Sequence, residues 1–302
     1  MDFYKQISDN KKMTYFLFFA FFILIGILAS VISLLLGGLN GYGIGYFTIF
    51  GILIILFAFI SYYTCDSIVT FVSGAKEADP QKYKQLHNIV EEMCIASGLT
   101  KPRVFIIEDT AINAFATGRD PAHSIVCVTT GCLISLNRDE LQGVIAHELT
   151  HIKNYDIRTM TIATVLVGIA VLLSDLILRF AFYSRGNSDS KGGGFWIALI
   201  VVALILALLT PLIANLIKLA VSRKREFVAD AGSAEMTRNP LGLASALEKI
   251  SKDKEPLEAA NKATSHLYIS DPLKNSKGMW LKGMFGTHPP IEERIAALRG
   301  MK

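Results

Sequence analysis

Residues 147–151 read His147, Glu148, Leu149, Thr150 and His151. On an α-helix a step of four residues advances about 6 Å and just past one turn, so both imidazoles leave the same face, one above the other. Two imidazole nitrogens so placed suit one Zn2+ ion, which binds His nitrogen at about 2.0–2.1 Å and tolerates a low coordination number that leaves room for water. Glu148 lies too far round the helix to be a comfortable third ligand, but it can reach a water activated by the metal and take its proton. That is the chemistry of a zinc peptidase. An HExxH arises by accident in roughly one chain of this length per hundred, so its surroundings decide. Asn137, Arg138, Asp139 and Glu140 supply a cap and an acidic first turn, and Leu141, Val144, Ile145, Leu149 and Ile152 follow at helical spacing. The motif therefore sits on an amphipathic helix.

A third protein ligand is needed, and the extended HExxHxxGxxH pattern does not supply it: Asn154 stands in place of the glycine and Ile157 in place of the last histidine. A carboxylate from elsewhere is expected. Glu226 and Asp230 are four residues apart, so on a helix a ligand and an acid that orients a ligand would project from one face. Spacing alone does not choose them over other downstream acids. His87 and His123 stand apart from any ligand spacing and read as surface or structural residues. Cys65, Cys94, Cys127 and Cys132 lie in apolar surroundings without a CxxC pair, which argues against a thiolate site or redox couple and for reduced core residues.

Of the 302 residues, 52% are hydrophobic and only 19% charged, against about 25% charged in an ordinary soluble domain. Met13 to Cys65 contains no charged residue, and the Gly-rich stretch Gly37 to Gly43 divides it into two membrane-length segments, Met13–Leu36 and Gly45–Cys65. A third apolar stretch, Thr159–Phe182, carries Asp175 and Arg179 near its end, where they can pair and snorkel toward the interface. A fourth runs from Gly194 to Leu219, with Pro211 as a tolerated kink. Four transmembrane helices are expected, and the first run is too long for a cleaved signal. Lys5, Lys11 and Lys12 precede the first span and Lys218, Arg223, Lys224 and Arg225 flank the fourth, outweighing Arg185 and Lys191 in the intervening loop. The positive-inside rule then places both termini in the cytoplasm of a multi-pass cell-membrane protein. The net charge of +4 is spread over these flanking positions, which suits lipid head groups and not nucleic acid.

With an even number of spans, residues 66–158 and 220–302 lie on one side and form two halves of a catalytic domain, separated by a hairpin over 159–219 and preceded by a hairpin over 1–65. Asp79–Ser97 reads as an amphipathic helix closed by Gly98, and Val104–Ile107, Ile112–Thr117 and Ser124–Thr129 as strands of a small sheet. Val221–Met236, Pro240–Ser251 and Pro290–Leu298 read as helices. The expected class is mainly α, of the α+β kind.

Four stretches carry a further likeness: Asn113 to Gly118, His147 to Asn154 with Asp156, Arg223 to Asp230, and Thr287, His288, Pro289 and Pro290 followed by Glu292, Glu293, Arg294 and Ile295. In this order, with the four hydrophobic segments, the chain resembles the HtpX-like membrane zinc metalloproteases, which are related to the type I CAAX prenyl proteases. The resemblance implies a zincin-like (gluzincin) domain with one Zn2+ held by His147, His151 and Glu226. It makes Asp230 and Asn154 the residues that orient the ligands, and Asn113, Ala114, Phe115, Ala116 and Thr117 an edge strand to which an extended substrate pairs. It implies that His288 and Arg294 approach the metal and stabilise an oxyanion beside the base Glu148; His266 carries less of the pattern.

The reading is a membrane-integrated zinc endopeptidase that cuts protein substrates, misfolded membrane proteins among them, at a cytoplasmic active site. Processing of prenylated peptides would need a large internal chamber, which four spans do not supply. An intramembrane protease would bury its HExxH in an apolar span, whereas Asp139, Glu140, Lys153, Asn154 and Asp156 flank this one. The rival from another class is a membrane scaffold with a structural zinc, or an inactive relative that binds partners, but structural sites are normally closed by four protein ligands, often cysteines.

Overall fold

A computed structural model describes residues 43–164, 223–260, 264–272 and 289–301, with positions 8, 11–17, 19–20, 22–23 and 26 before them. More than half of the first expected span, most of the third, all of the fourth, and His288 lie outside the described residues. The elements run α1 (Gly43–Val72), β1 (Lys76–Glu77), α2 (Lys84–Ser97), β2 (Arg103–Ile107), β3 (Ala114–Asp120), β4 (His123–Thr129), α3 (Thr130–Ser135), α4 (Arg138–Lys153), α5 (Arg223–Thr237), α6 (Pro240–Lys252) and α7 (Ile291–Arg299). The chain is mainly helical with one small mixed sheet, as expected.

The sheet order is β1-β2-β4-β3, with β2 parallel to β4 and the other two pairs antiparallel. Side chains alternate between its faces. Val104, Ile106, Ala114, Ala116, Val126 and Val128 join a cluster with Leu86, Ile89 and Val90 of α2, Val144, Ile145 and Leu149 of α4, and Leu243 and Leu247 of α6. Phe105, Ile107, Phe115, Ile125 and Cys127 face the other way, against Val69, Met160, Leu257 and Tyr268. Both faces are covered, so β2 and β4 read as unbroken apolar runs.

Element boundaries depart from the sequence reading where side chains take over backbone groups. Strand β3 begins at Ala114 and not Ile112, because the Ile112 N–H donates to Asp253 and the Asn113 N–H to the Thr129 hydroxyl. It runs on to Asp120 through an irregularity at Gly118, whose φ of 139° suits glycine. Helix α2 begins at Lys84, after a turn in which Asp79 accepts from the N–H groups of Gln81 and Lys82. The short β1 and α3 carry too little periodicity to be seen in sequence.

Helix α1 continues seven residues beyond Cys65, to Val72, and joins the membrane-length stretch to the sheet. Among the described residues alone, no helix is long and apolar enough to cross a membrane, several side chains of α1 being outside them. Its backbone itself runs for 30 residues, about 45 Å at 1.5 Å each. Ile49, Ile52, Leu53, Ile55, Leu56 and Phe59 are exposed along it.

Helix α4 is fixed at its start by a complete capping box: Asn137 accepts from the Glu140 N–H, and the Glu140 carboxylate accepts from the Asn137 N–H at 2.8 Å. The same carboxylate accepts from Ser245 and Lys249 of α6, each at 2.6 Å. Close contact with α6 depends on Gly143, where a Cβ would lie 2.7 Å from the Leu243 backbone nitrogen. Backbone cannot yield as a side-chain tip can, so Gly143→Ala is expected to destabilise the protein by about 1–3 kcal/mol, read as a lower midpoint of chemical unfolding. An unchanged midpoint would show that the two helices can part without cost.

Candidate active site

The last three turns of α4 carry the HExxH residues, and α5 lies across them. The crossing is tight because Gly232 of α5 faces Thr150, whose methyl and hydroxyl would come within 2.5 Å of a Cβ there. At that separation the first turns of α5 bring Glu226 and Asp230 to the two imidazoles. His147 Nε2 and His151 Nε2 are 3.2 Å apart, and the Glu226 carboxylate oxygens lie 3.8 Å and 3.6 Å from them respectively. Ligands on a tetrahedral zinc with bonds of about 2.0–2.1 Å are separated by roughly 3.3–3.5 Å, so these three residues fit that ion. Among the described residues this is the group of metal-ligating side chains that converges.

Each imidazole is held by its other nitrogen. His147 Nδ1 lies 3.0 Å from Asp230 Oδ1, and His151 Nδ1 lies 3.0 Å from Asp156 Oδ2. A carboxylate on Nδ1 fixes its proton there and leaves the Nε2 lone pair facing the metal. Burial lowers the pKa of His147 to about 4, against the pull of Asp230 and helped by the Arg294 charge, so its ring is neutral at neutral pH. Burial works the same way on His151 but is outweighed by the Asp156 hydrogen bond and the charges of Glu226, Asp156 and Glu148, which raise it to about 9. Without metal this ring holds a proton that zinc must displace.

Asp156 is the residue that sequence reasoning left among the motif matches without a role. It sits five positions after His151, beyond the end of α4, where Tyr155 takes a left-handed φ of 60° and turns the chain back toward the ring. Its other oxygen lies 3.6 Å from Arg225 of α5, so the pair also ties that helix to the turn. Asn154, given an orienting role by resemblance, is the buried C-cap of α4. Asp156→Asn is expected to weaken zinc binding by about 10- to 100-fold, the usual cost of removing a partner of a ligating histidine. Competition with a chromophoric chelator measures it, and wild-type affinity would remove the role.

Glu148 is buried at 2% exposure. Burial raises its pKa to about 7; the His151 charge opposes this, Glu226 adds to it, and Arg294 and the Ala116 N–H again oppose it. Ala116 belongs to β3, so the base and the edge strand meet. Arg294, on α7, is 1% exposed and donates to both Asp230 oxygens at 2.9 and 2.7 Å, to the Ile269 carbonyl at 3.1 Å, and pairs with Glu226 at 3.1 Å. Its N–H groups thus point at two buried carboxylates and a carbonyl, and its Nη2 also lies 3.4 Å from His147 Nε2, so the guanidinium approaches the ligand set as the resemblance implied. The reason is electrostatic, since carboxylates so deeply buried require a paired cation. Burial works against the Asp230 charge, but Arg294 and the His147 hydrogen bond outweigh it and hold that carboxyl below its usual range.

The other described histidines stand elsewhere. His266 faces the Thr164 hydroxyl at 3.0 Å, His87 the Ala78 carbonyl at 2.9 Å, and exposed His123 the Asp120 carboxylate at 2.8 Å. The four cysteines are buried and unpaired, and burial pushes Cys94 up to about 11 and Cys132 to about 12, which makes both inert thiols.

Known proteins resemble this chain in sequence and fold. The chain is 44% identical over 301 residues to the "Protease HtpX homolog" of Dictyoglomus turgidum, covering 99% of this chain and 95% of that one. It is 40% identical over 305 residues to the protein of the same name from Streptococcus pneumoniae strain R6, covering 99% of each. The fold resembles the crystal structure of S. mikatae Ste24p at 17% identity with a TM-score of 0.50, over 97% of this chain and 66% of that one. Residues 80–302 match Peptidase family M48, and the chain belongs to that family of metallopeptidases.

Proposed function

We propose that this metallopeptidase is a membrane-integrated zinc endopeptidase whose active site faces the cytoplasm and whose substrates are membrane proteins, misfolded ones included. The observation that carries the zinc assignment is the set of separations, 3.2 to 3.8 Å, among the ligand atoms of His147, His151 and Glu226, with Glu148 on the same helix. Zinc would supply Lewis-acid polarisation of the scissile carbonyl and a lowered pKa for water. The chain's own part is to accept a proton from the attacking water at the Glu148 carboxylate and return it to the leaving amine, with Asp230 and Asp156 holding the two imidazoles.

Membrane integration is supported by the uncharged run from Met13 to Cys65 and by what gathers at its end. Arg158 donates to the Tyr62 hydroxyl at 3.0 Å and stacks near Tyr15, while Arg119 lies over Tyr63. Aromatic rings with arginines are the residues of a membrane–water boundary. The lysines and arginines flanking the spans support the cytoplasmic side.

Purified, zinc-loaded protein in detergent is expected to cleave casein and an unfolded membrane protein, to lose activity with a strong chelator, and to regain it with stoichiometric zinc. Zinc-loaded protein that cleaves neither would favour a structural site on a membrane scaffold.

A further inference from the structure

The edge of the sheet that an extended substrate would need is already taken by the chain itself. Strand β3 lies at the sheet edge, yet on its free side the Ile269 N–H donates to the Ala114 carbonyl at 2.9 Å and Asn113 Nδ2 donates to the Ser270 carbonyl at 3.2 Å. Phe115 and Tyr268 face each other as an antiparallel bridge. The side chains alternate as those of an added strand do. The Tyr268 ring meets Phe115 edge-on, with centroids 5.1 Å apart, on one face of the sheet, and Ile269 enters the cluster on the other face, beside α4. Further along the same edge the Gly118 N–H is taken by the Thr161 hydroxyl. His147, His151, Glu226 and Glu148 are themselves 5% exposed or less, so a polypeptide reaches Glu148 only when something leaves.

We propose that residues 265–270 are a resident, displaceable occupant of a strand-addition site on β3, and that extended peptides carrying an aromatic residue followed by a branched aliphatic one exchange with it. The inference rests on the peptidase reading above. Exchange of one strand for another replaces the backbone hydrogen bonds in kind, so these do not discriminate between sequences. Discrimination comes from the two places that Tyr268 and Ile269 vacate, which only side chains of similar size and apolarity refill. The resident segment is tethered, and its high effective concentration keeps the site closed to chains that fit poorly. The Arg294 bond to the Ile269 carbonyl joins this exchange to the brace of the metal ligands, since the same guanidinium holds Asp230 and Glu226.

The test uses the full chain, zinc-loaded in detergent. The bond from Ile269 to Ala114 makes Phe115 and Tyr268 a non-hydrogen-bonded antiparallel pair, with Cα atoms about 4.5 Å apart, within reach of a disulfide. In the variant Phe115→Cys, Tyr268→Cys, Cys127→Ala, the last change removing the cysteine that pairs with position 115 across β4, oxidation should slow cleavage of a fluorogenic peptide containing Tyr-Ile by at least about tenfold, with zinc content unchanged and activity restored by a reductant. An oxidised form as fast as the reduced one overturns the proposal. On the wild-type chain, the hexapeptide Ser-His-Leu-Tyr-Ile-Ser should raise KM for that substrate without changing kcat, and a scrambled hexapeptide should not. Equal effects of the two hexapeptides, or none from either, overturn it as well, and this arm decides alone if the reduced variant is inactive. Wild-type protein that holds zinc and cleaves no peptide refutes the peptidase reading itself, a result visible before any variant is made.

Discussion

Replacing Glu148 by Gln is expected to leave zinc bound and the fold intact while peptide hydrolysis falls by at least about a hundredfold, the lower end for losing a general base. The amide keeps the size of the side chain, and the three groups whose ligand atoms converge are His147, His151 and Glu226, none of them altered. What disappears is a carboxylate that can accept a proton. The site favours that role because burial beside Glu226 raises the Glu148 pKa to about 7 in the metal-free protein, so the protonated form can release its proton to a leaving amine near neutral pH. A nearby dication draws the value down again, so the acid limb of kcat/KM should lie between the ordinary 4.5 and about 7. A variant with wild-type zinc content and wild-type turnover would show that Glu148 is not the base.

Replacing Arg294 by Ala is expected to cost about 3–5 kcal/mol of stability, the effect of breaking a buried ion cluster from one side. Asp230 and Glu226 would be left as buried carboxylates without their cation, at 0% and 2% exposure. The loss should be larger in chelator than with zinc, because the metal partly neutralises Glu226. Arg294→Lys should rescue little, since an ammonium cannot span both Asp230 oxygens while also reaching the Ile269 carbonyl. Denaturant unfolding in both conditions measures it, and equal stability of variant and wild type would mean that Arg294 does not hold the cluster together. A loss of that size would show that Arg294 acts by positioning Asp230 and Glu226.

Much of the site was legible because its signals are local. His147, Glu148 and His151 share one helix, so helical spacing alone places both rings on one face, and the box formed by Asn137 and Glu140 announces where that helix begins. Glu226 and Asp230 were visible as a pair four apart, although only resemblance could choose them from the other acids. The short apolar runs Val104 to Ile107 and Ser124 to Thr129 marked two strands nearly to the residue.

Other features depend on groups far apart in the chain, and no local pattern encodes them. The sequence by itself determined the metal chemistry, the helix that carries it and the apolar segments, since each follows from side-chain type and period. Only the tertiary structure decided that Gly232 lets α5 close on Thr150, that the left-handed turn at Tyr155 sends Asp156 back to His151, and that Arg294 meets site residues from 64 to 147 positions away. It also decided that Tyr268 and Ile269 pair with β3 across more than 150 residues. The physical reason is the same in each case: these contacts join segments whose own propensities are satisfied without them, so their geometry is set by packing and by the need of buried charges and backbone groups for partners.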